Sequence, residues 1–251
     1  MGLFRVVFSS VFSRFLLPLS LVVVVTPAFS ADDGANTLKK ALAKNLPNIE
    51  ISQISESAIP GLYQVIVGAQ VVYMDKNARY MIDGDLVDLS TRENHTEKAK
   101  STIRLAAINA LGEANMLVYT PKKVDHTITV VTDIDCPYCR RLHSEMDEYM
   151  KNNVKVRYIF MPLKGKSDFE TTVSVWCAKD RNNALDLAKS GADIEALSCD
   201  NPIQDHLALA RQIGVGGTPA IILESGELLP GYVPVAKLVQ EINKQHAALT
   251  N

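Results

Sequence analysis

The chain carries the sequence TDIDCPYC at residues 132–139, at the junction of a strand-like run and a helix-like run. Residues 124–132 are rich in Val, Ile and Thr, which favours a strand, and residues 138–150 have a helical spacing of apolar side chains. Cys136 is therefore expected at a helix N-terminus, where unpaired N–H groups and the helix dipole favour a thiolate. Because the thiolate is the form that attacks disulfides, Cys136 is the predicted nucleophile, and Cys139, one turn later, is the predicted resolving thiol.

The helix prediction rests on an apolar face with spacings of four, four and three residues, formed by Tyr138, Leu142, Met146 and Tyr149. Pro137 suits the first helical position, where its missing N–H costs nothing. A c-type haem site needs His directly after the second cysteine, where Arg140 stands. A zinc site needs a second ligand pair at short spacing, whereas Cys177 and Cys199 are 22 positions apart. The motif therefore predicts redox chemistry without a metal or another cofactor.

The first 30 residues have the form of a secretory signal peptide. Arg5 and Arg14 flank an early apolar stretch, residues 15–29 carry no charge, and small residues precede a cleavage point before Ala31. A membrane anchor is the alternative, but this charge-free run of 15 residues is short for a span of about 20. Export predicts a compartment in which disulfides form and persist.

Charge and length narrow the possible partners of the exported chain. Removal of the leader takes away two Arg and no acidic residue, so the 26 basic residues fall to 24 against 28 acidic ones, a net charge of −4. There is no basic patch or arm, so nucleic acid is not an expected partner. The remaining length suits one large or two small domains.

Two patterns precede the CxxC region. Residues 31–90 contain a short helix, with Leu38, Leu42 and Leu46 on one face, followed by a meander of short strands. A unit this small buries little core and has no cysteine to staple it, so we expect it to dimerise, with an edge strand available for pairing. Residues 91–114 begin polar and become helical, which predicts a linker helix; the alternative is a solvated helix packed on one domain.

From residue 115 to residue 251 the elements follow the order β, α, β, helices, β, β, α, which is typical of a thioredoxin-like plan with a helical insertion at about 167–213. Thr218 and Pro219 directly precede an apolar strand. Folds of this plan place a cis-proline opposite the CxxC, and the residue before it offers its backbone to a bound peptide. Thr218 and Pro219 are therefore predicted to bind substrate; an ordinary trans-proline at a strand start is the alternative.

Together these segments resemble the DsbC/DsbG family of periplasmic thiol:disulfide isomerases, and DsbC most closely; the resemblance lies in residues 132–139, 176–180, 198–200, 217–220 and 229–232. It covers nearly all of the mature chain. It implies an α+β protein with an N-terminal cystatin-like dimerisation domain, a linker helix and a C-terminal thioredoxin-like domain with a helical insertion. The family usually has Gly where this chain has Pro137, so Pro137 is expected to tune the redox poise.

The resemblance also implies partners and a location. It implies a V-shaped homodimer in the periplasm, whose two active sites face an apolar cleft. The expected substrates are misfolded, disulfide-containing secreted proteins, and the expected reductant is an inner-membrane thiol carrier of the DsbD type. The leading hypothesis is thus an isomerase that reshuffles wrong disulfides and also binds unfolded chains. A holdase chaperone with incidental thiols, or an oxidase or reductase of the same fold, is the alternative.

Five further residues receive roles at this point. Cys177 and Cys199 are interpreted as a structural disulfide of the insertion, with two free buried thiols or a second catalytic pair as alternatives. Tyr138 is expected to shape the peptide-binding surface, with core packing as the alternative. His143, four residues after the second cysteine, is expected on the helix surface rather than beside a thiolate. Asp133 could serve the resolving thiol as a base or cap backbone N–H groups.

Overall fold

The computed structural model of the protein describes Gly2, residues 31–49 and residues 51–250. The predicted signal peptide, apart from Gly2, lies outside the described residues. None of the described helices has both the length and the apolar character that a bilayer span requires.

The N-terminal part is one helix on a four-stranded antiparallel sheet. The sheet has the order β1-β2-β3-β4, and its elements are α1 (Ala31–Asn45), β1 (Ile51–Glu56), β2 (Leu62–Val67), β3 (Gln70–Asp75) and β4 (Met81–Asp83). Leu38 and Leu42 are buried in a small cluster with Val65 of the central strand β2. Leu46 was predicted on the same face, but it is 39% exposed because α1 ends one residue earlier.

The next helix, α2 (His95–Leu111), contacts elements on both sides of it in the chain. At its first turn the buried Thr96 hydroxyl bonds the Tyr73 hydroxyl of β3 at 2.6 Å and accepts from the backbone of Leu86 at 2.8 Å. Two turns later the buried Arg104 side chain donates to the carbonyls of Ile213, at 3.3 Å, and Gly226, at 3.2 Å. The helix is therefore fixed to the preceding sheet at one end and to the following α/β part at the other.

The C-terminal part is built on a five-stranded sheet of order β5-β7-β6-β8-β9, in which β6 and β7 pair in parallel and the other pairs are antiparallel. The strands are β5 (Leu117–Tyr119), β6 (His126–Thr132), β7 (Val154–Phe160), β8 (Ala220–Ile222) and β9 (Leu228–Pro230). The helices are α3 (Pro137–Ser144), α4 (Met146–Lys151), α5 (Lys166–Cys177), α6 (Arg181–Ser190), α7 (Ile203–Gln212) and α8 (Val235–Thr250).

The two faces of this sheet have separate cores. Alternate residues of β6 and β7, such as Val130 and Tyr158, pack in the larger cluster with α3 to α6 and α8. The intervening residues, such as Val131 and Ile159, pack in a second cluster with α2 and α7. This alternation follows from the period of two along a strand. The strand β6, which leads into the connection to α3, is therefore packed on both faces.

The single helix predicted over 138–150 is wrong in one respect, because Glu145 interrupts it and separates α3 from α4. The carboxylate of Glu145 accepts hydrogen bonds from the Tyr232 hydroxyl and, at 3.0 Å, from the backbone of Val235. Leu142, Met146 and Tyr149 remain buried as predicted. Tyr138 does not share that face: it is 60% exposed, on the outer side of the first turn of α3.

Candidate active site

The two cysteines of the motif lie at the connection from β6 to α3 and in the first turn of α3. Cys136 is the N-cap residue of α3, with an extended backbone (φ −75°, ψ 122°), and Pro137 occupies the first helical position. Both thiols are free; Cys136 is partly exposed, whereas Cys139 is 1% exposed. A substrate can therefore reach the first sulfur but not the second.

The surroundings shift the two thiol pKa values in opposite directions. Partial burial acts to raise the pKa of Cys136, but hydrogen bonds from the backbone of Cys139 and Tyr138 and from the side chains of Thr218 and Cys139 together outweigh it, so this pKa is lowered. Burial raises the pKa of Cys139, and the Asp133 N–H, 3.5 Å from its sulfur, offsets this only in part. The more exposed sulfur is thus the one whose surroundings favour the thiolate, the form that nucleophilic attack requires.

A loop from the far side of the chain completes the surface around Cys136. The Thr218–Pro219 peptide bond is cis, and the carbonyl of Thr218 accepts a hydrogen bond from the Cys136 thiol at 3.3 Å. Pro219 lies directly before β8, and its own carbonyl accepts from Gly231 at 2.8 Å. Thr218 therefore lies beside the exposed sulfur, and Tyr138 is exposed in the adjoining turn of α3.

Asp133 is almost fully buried beneath this turn, at 2% exposed. One of its carboxylate oxygens accepts from the backbone of Asp135 at 2.7 Å, and the other accepts from the backbone of Leu163 at 3.1 Å. Both oxygens thus accept backbone N–H groups, as the capping alternative predicts.

The prediction that His143 lies on the helix surface is wrong. The side chain is buried, with one ring nitrogen 3.0 Å from the Tyr158 hydroxyl and the other 2.8 Å from a carboxylate oxygen of Asp186. Burial lowers the pKa of His143, and the nearby Lys189 acts in the same direction, while Asp186 opposes both. The periodicity of α3 could not reveal this burial, because the covering residue comes from α6 of the helical segment.

Lys189 is a residue that the sequence reasoning missed. It lies on α6 and is 4% exposed, and its ammonium donates to the Thr132 hydroxyl at 2.9 Å and to the Asp133 carbonyl at 3.1 Å. Burial lowers the pKa of Lys189 to about 8, against the raising effect of the two cysteines and Asp133. The available signal was its position four residues after the fully buried Leu185, which places it on the inward face of α6.

The other two cysteines do not join this site. Cys177, at the end of α5, is bonded to Cys199, with the two Cα atoms 5.7 Å apart. The bond ties α5 to the segment that leads into α7, across a sequence separation of 22. Cys199 is exposed and Cys177 half-buried.

Comparison with known proteins agrees with this architecture. Two family models match: a disulfide bond isomerase protein N-terminal domain at residues 28–97 and a thioredoxin-like domain at residues 114–246. The thiol:disulfide interchange protein DsbC of Salmonella typhimurium is 38% identical over 221 residues, which are 87% of this chain and 90% of the relative. The DsbC of Escherichia coli K12 is 38% identical over 225 residues, 88% of this chain and 91% of that one.

Among solved structures, a disulfide interchange protein from Neisseria gonorrhoeae is 28% identical, with a TM-score of 0.47, and the match covers 53% of this chain and 96% of that one. The predicted fold class, with an isomerase-type N-terminal domain followed by a thioredoxin-like domain, is confirmed by the two family matches. On these matches and on the identity over most of its length, the chain belongs to the DsbC family of thiol:disulfide interchange proteins.

Proposed function

We propose that the protein is a periplasmic thiol:disulfide isomerase that reshuffles wrong disulfides in secreted proteins. The observation that carries this proposal is the asymmetry of the CxxC pair: an accessible Cys136 with a lowered pKa stands in front of a buried Cys139 with a raised pKa. Such a pair attacks a disulfide readily and leaves time for the substrate to rearrange before the second thiol acts.

The chemistry follows from the positions of the two sulfurs. The Cys136 thiolate attacks one sulfur of a substrate disulfide, the substrate S–S bond breaks, and its other sulfur leaves as a thiolate. The resulting mixed disulfide is broken either by another thiol of the substrate, which completes an isomerisation, or by Cys139, which releases a reduced substrate. In this proposal the backbone of Thr218 aligns the substrate chain beside the sulfur, with Pro219 fixing the loop and Tyr138 shaping the adjacent surface.

The proposal includes a division of labour along the chain. Residues 1–30 direct export, residues 31–90 form the dimerisation domain and residues 91–114 the linker helix. Residues 115–251 form the catalytic domain, with a helical insertion at about 167–213. In support of dimerisation, β4 is an edge strand whose apolar residues Met81 and Ile82 are 62% and 52% exposed, so a second copy could pair with it and cover them.

The remaining parts of the proposal concern partners. A homodimer would set two active sites around a cleft that also holds unfolded chains, and misfolded disulfide-containing secreted proteins would be its substrates. A DsbD-type thiol carrier of the inner membrane would keep Cys136 and Cys139 reduced. Family membership supports these assignments, and the disulfide between Cys177 and Cys199 suits an oxidising compartment.

The test is recovery of scrambled ribonuclease by the mature protein, with Cys136→Ser as the matched control, together with the thiol state of the pair trapped by alkylation in intact cells. We expect isomerisation by the wild type alone and a pair that rests reduced. A pair that rests oxidised, in a protein that oxidises reduced ribonuclease but does not rescue the scrambled form, would instead assign an oxidase. If the wild type and Cys136→Ser suppress aggregation equally and neither isomerises, the protein would be assigned as a holdase.

The dimer is tested separately by sedimentation of the mature chain and of a fragment that begins at residue 115. The full chain should sediment as a dimer and the fragment as a monomer that still reduces insulin. A fragment that dimerises would place the interface elsewhere.

A further inference from the structure

The ammonium group of Lys189 lies behind the active site in an unusual setting. Its two hydrogen bonds go to uncharged oxygens, the hydroxyl of Thr132 and the backbone carbonyl of Asp133, and its side chain is almost completely buried. Burial of a charge without a directly bonded carboxylate is costly, and a well-packed apolar side chain would be the more stable choice. A lysine at this position therefore calls for a role other than stability.

Lys189 is connected to the resolving thiol through one side chain. The Thr132 hydroxyl accepts from the Lys189 ammonium at 2.9 Å, and hydrogen bonding from the same Thr132 side chain acts to lower the pKa of Cys139 against the larger effect of burial. The Asp133 residue forms a second connection, because its carbonyl accepts from Lys189 at 3.1 Å and its N–H lies 3.5 Å from the same sulfur. Cys139 is buried, so these groups, rather than bulk water, are its immediate surroundings.

Other charged or titratable groups face Lys189 from the elements packed against it. They are Cys136, Cys139, Arg140 and His143 of the α3 region, Asp133 after β6, and Tyr158 of β7, whose ring centre is 5.9 Å from the ammonium. The Asp133 carboxylate is occupied by two backbone N–H groups, and burial lowers the pKa of His143, which keeps its ring neutral at neutral pH. Lys189 is thus the titratable side chain that bonds directly to Thr132 and to Asp133, whose N–H lies 3.5 Å from the Cys139 sulfur.

We propose that Lys189 is a positioning residue that takes up the proton of Cys139, through the Thr132 hydroxyl, when the mixed disulfide is resolved. The inference rests on the proposed function, since it concerns the second half of the same exchange. It assigns a part of the chemistry to the helical segment, because Lys189 comes from α6 and not from the elements around the motif.

The step balances as follows. Cys139 gives its proton to the Thr132 oxygen while the Thr132 proton passes to the neutral amine of Lys189, a reversal that the freely rotating hydroxyl permits. The Cys139 thiolate attacks the sulfur of Cys136, a new S–S bond forms, and the bond to the substrate breaks. The substrate sulfur leaves with the electron pair and is protonated from solvent, so the substrate is reduced and the pair oxidised.

The geometry also provides an exit for the proton. A cavity of about 380 Å³ is lined by Lys189, His143 and Asp186, and the side chain of Asp186 is 55% exposed. A lysine whose pKa is lowered to about 8 is partly neutral near neutral pH, which is the condition for accepting a proton and then returning it to solvent.

The experiment separates the two halves of the exchange in the mature protein. Reduced protein is mixed with glutathione disulfide, quenched with acid and resolved by mass spectrometry into reduced, glutathionylated and internally oxidised forms, between about pH 6 and about pH 9. We expect Lys189→Met to slow resolution by about tenfold or more at neutral pH and to move the rise of its rate to higher pH. The rate of Cys136 attack should change less than about twofold.

Two further variants sharpen the result. Thr132→Val removes the bridging hydroxyl at nearly constant shape and should slow resolution in the same way, which tests the relay even if the Lys189 variant folds poorly. Lys189→Arg keeps the positive charge but cannot give up its proton, and it should remain slow. The control is Lys164→Met, which removes an exposed lysine that donates to the Asp135 carbonyl at 2.7 Å and should leave resolution unchanged.

Resolution that is unaltered in both Lys189→Met and Thr132→Val, or fully restored by Lys189→Arg, would overturn the inference. A stability readout separates a structural role, because Lys189→Met should melt at the same temperature as the wild type or higher. Failure of the proposed function has a different signature: the wild type itself would form no mixed disulfide or would not isomerise scrambled ribonuclease.

Discussion

Cys136 and Cys139 stand at the start of α3 with two residues between them, whereas Cys177 and Cys199 join two segments across a sequence separation of 22. The first pair is free, and its two sulfurs differ in exposure and in the direction of their pKa shifts. The second pair is bonded and has no helix N-terminus beneath it. The difference indicates that the reactivity of the first pair depends on its place at the start of a helix. The second pair instead forms a bond that closes a loop.

The largest effect should come from removing Cys136, the proposed nucleophile of the first pair. Cys136→Ser should lower disulfide-exchange activity by at least about 1000-fold, because a hydroxyl is not ionised at neutral pH. The assay is reduction of insulin or rescue of scrambled ribonuclease. The double variant Cys177→Ala with Cys199→Ala is the matched control, and it should keep most of the activity. If the double variant lost its activity while Cys136→Ser kept normal activity, Cys177 and Cys199 would be the reactive pair instead.

The second effect should appear in stability and not in chemistry. Removing both Cys177 and Cys199 opens the loop that the disulfide closes, which should lower the free energy of unfolding by about 3 kcal/mol. Urea unfolding at neutral pH measures this change, while the rate of Cys136 alkylation should stay as in the wild type. Cys139→Ala, which removes a cysteine but breaks no disulfide, serves as the control. Equal stability of the double variant and the wild type would show that the disulfide is not structural.

A third prediction concerns the contact between the two regions, where His143 of α3 meets Asp186 of α6. Burial lowers the pKa of His143 below its unfolded value of about 6.5, so below that pH the unfolded chain binds more protons than the folded one. The wild type should therefore lose stability as the pH falls below about 6.5, by at most about 1.4 kcal/mol per pH unit from this one group.

His143→Gln should give a shallower dependence of stability on pH over the same range, because it removes one titrating group. Burial also lowers the pKa of His206, but that residue is present in both proteins and cancels in the comparison. Unfolding in urea at several pH values measures the slopes. Identical slopes would mean that His143 does not titrate differently in the folded and unfolded chains.

The smallest effect should come from the residue between the reactive cysteines. Pro137 occupies the first position of α3, and Pro137→Gly restores an N–H and loosens that turn without moving the N-cap position of Cys136. The reduction potential should therefore change by tens of millivolts, where about 30 mV corresponds to 1.4 kcal/mol, while isomerisation persists. A glutathione redox titration of both proteins measures this, and an unchanged potential would remove Pro137 from the tuning of the pair.

These comparisons also show which parts of the site could be read from the sequence. Cys136, Pro137 and the strand before them lie in one continuous stretch, and local rules for strand ends and helix starts place them correctly. The positions of His143 and Lys189 depend on α6, which packs against α3 from more than 35 residues further along the chain. Helical periodicity describes one helix at a time, so it predicted exposure for a histidine that another helix covers.

The interruption at Glu145 has a similar origin. The residues from 138 to 150 have a sound helical period, and the break arises from hydrogen bonds that Glu145 accepts from Tyr232 and Val235, near the end of the chain. In contrast, turn residues and short apolar runs in the sequence predict most strands of both sheets, although the predicted order of the C-terminal part contains four strands and the sheet has five. The sequence therefore predicted the elements well and predicted poorly the side chains whose partners are distant.

The two anchors of helix α2 have a further consequence for the distance and orientation between the parts of the molecule that they hold. Thr96 anchors it to β3, and Arg104, eight residues later, anchors it to the carbonyls of Ile213 and Gly226. Inserting one residue between the anchors would rotate one relative to the other by about 100°, whereas inserting seven would nearly restore their phase and separate them by about 10 Å. The length of the helix therefore sets the distance between its two anchors, and its phase sets the direction in which Cys136 faces relative to β4.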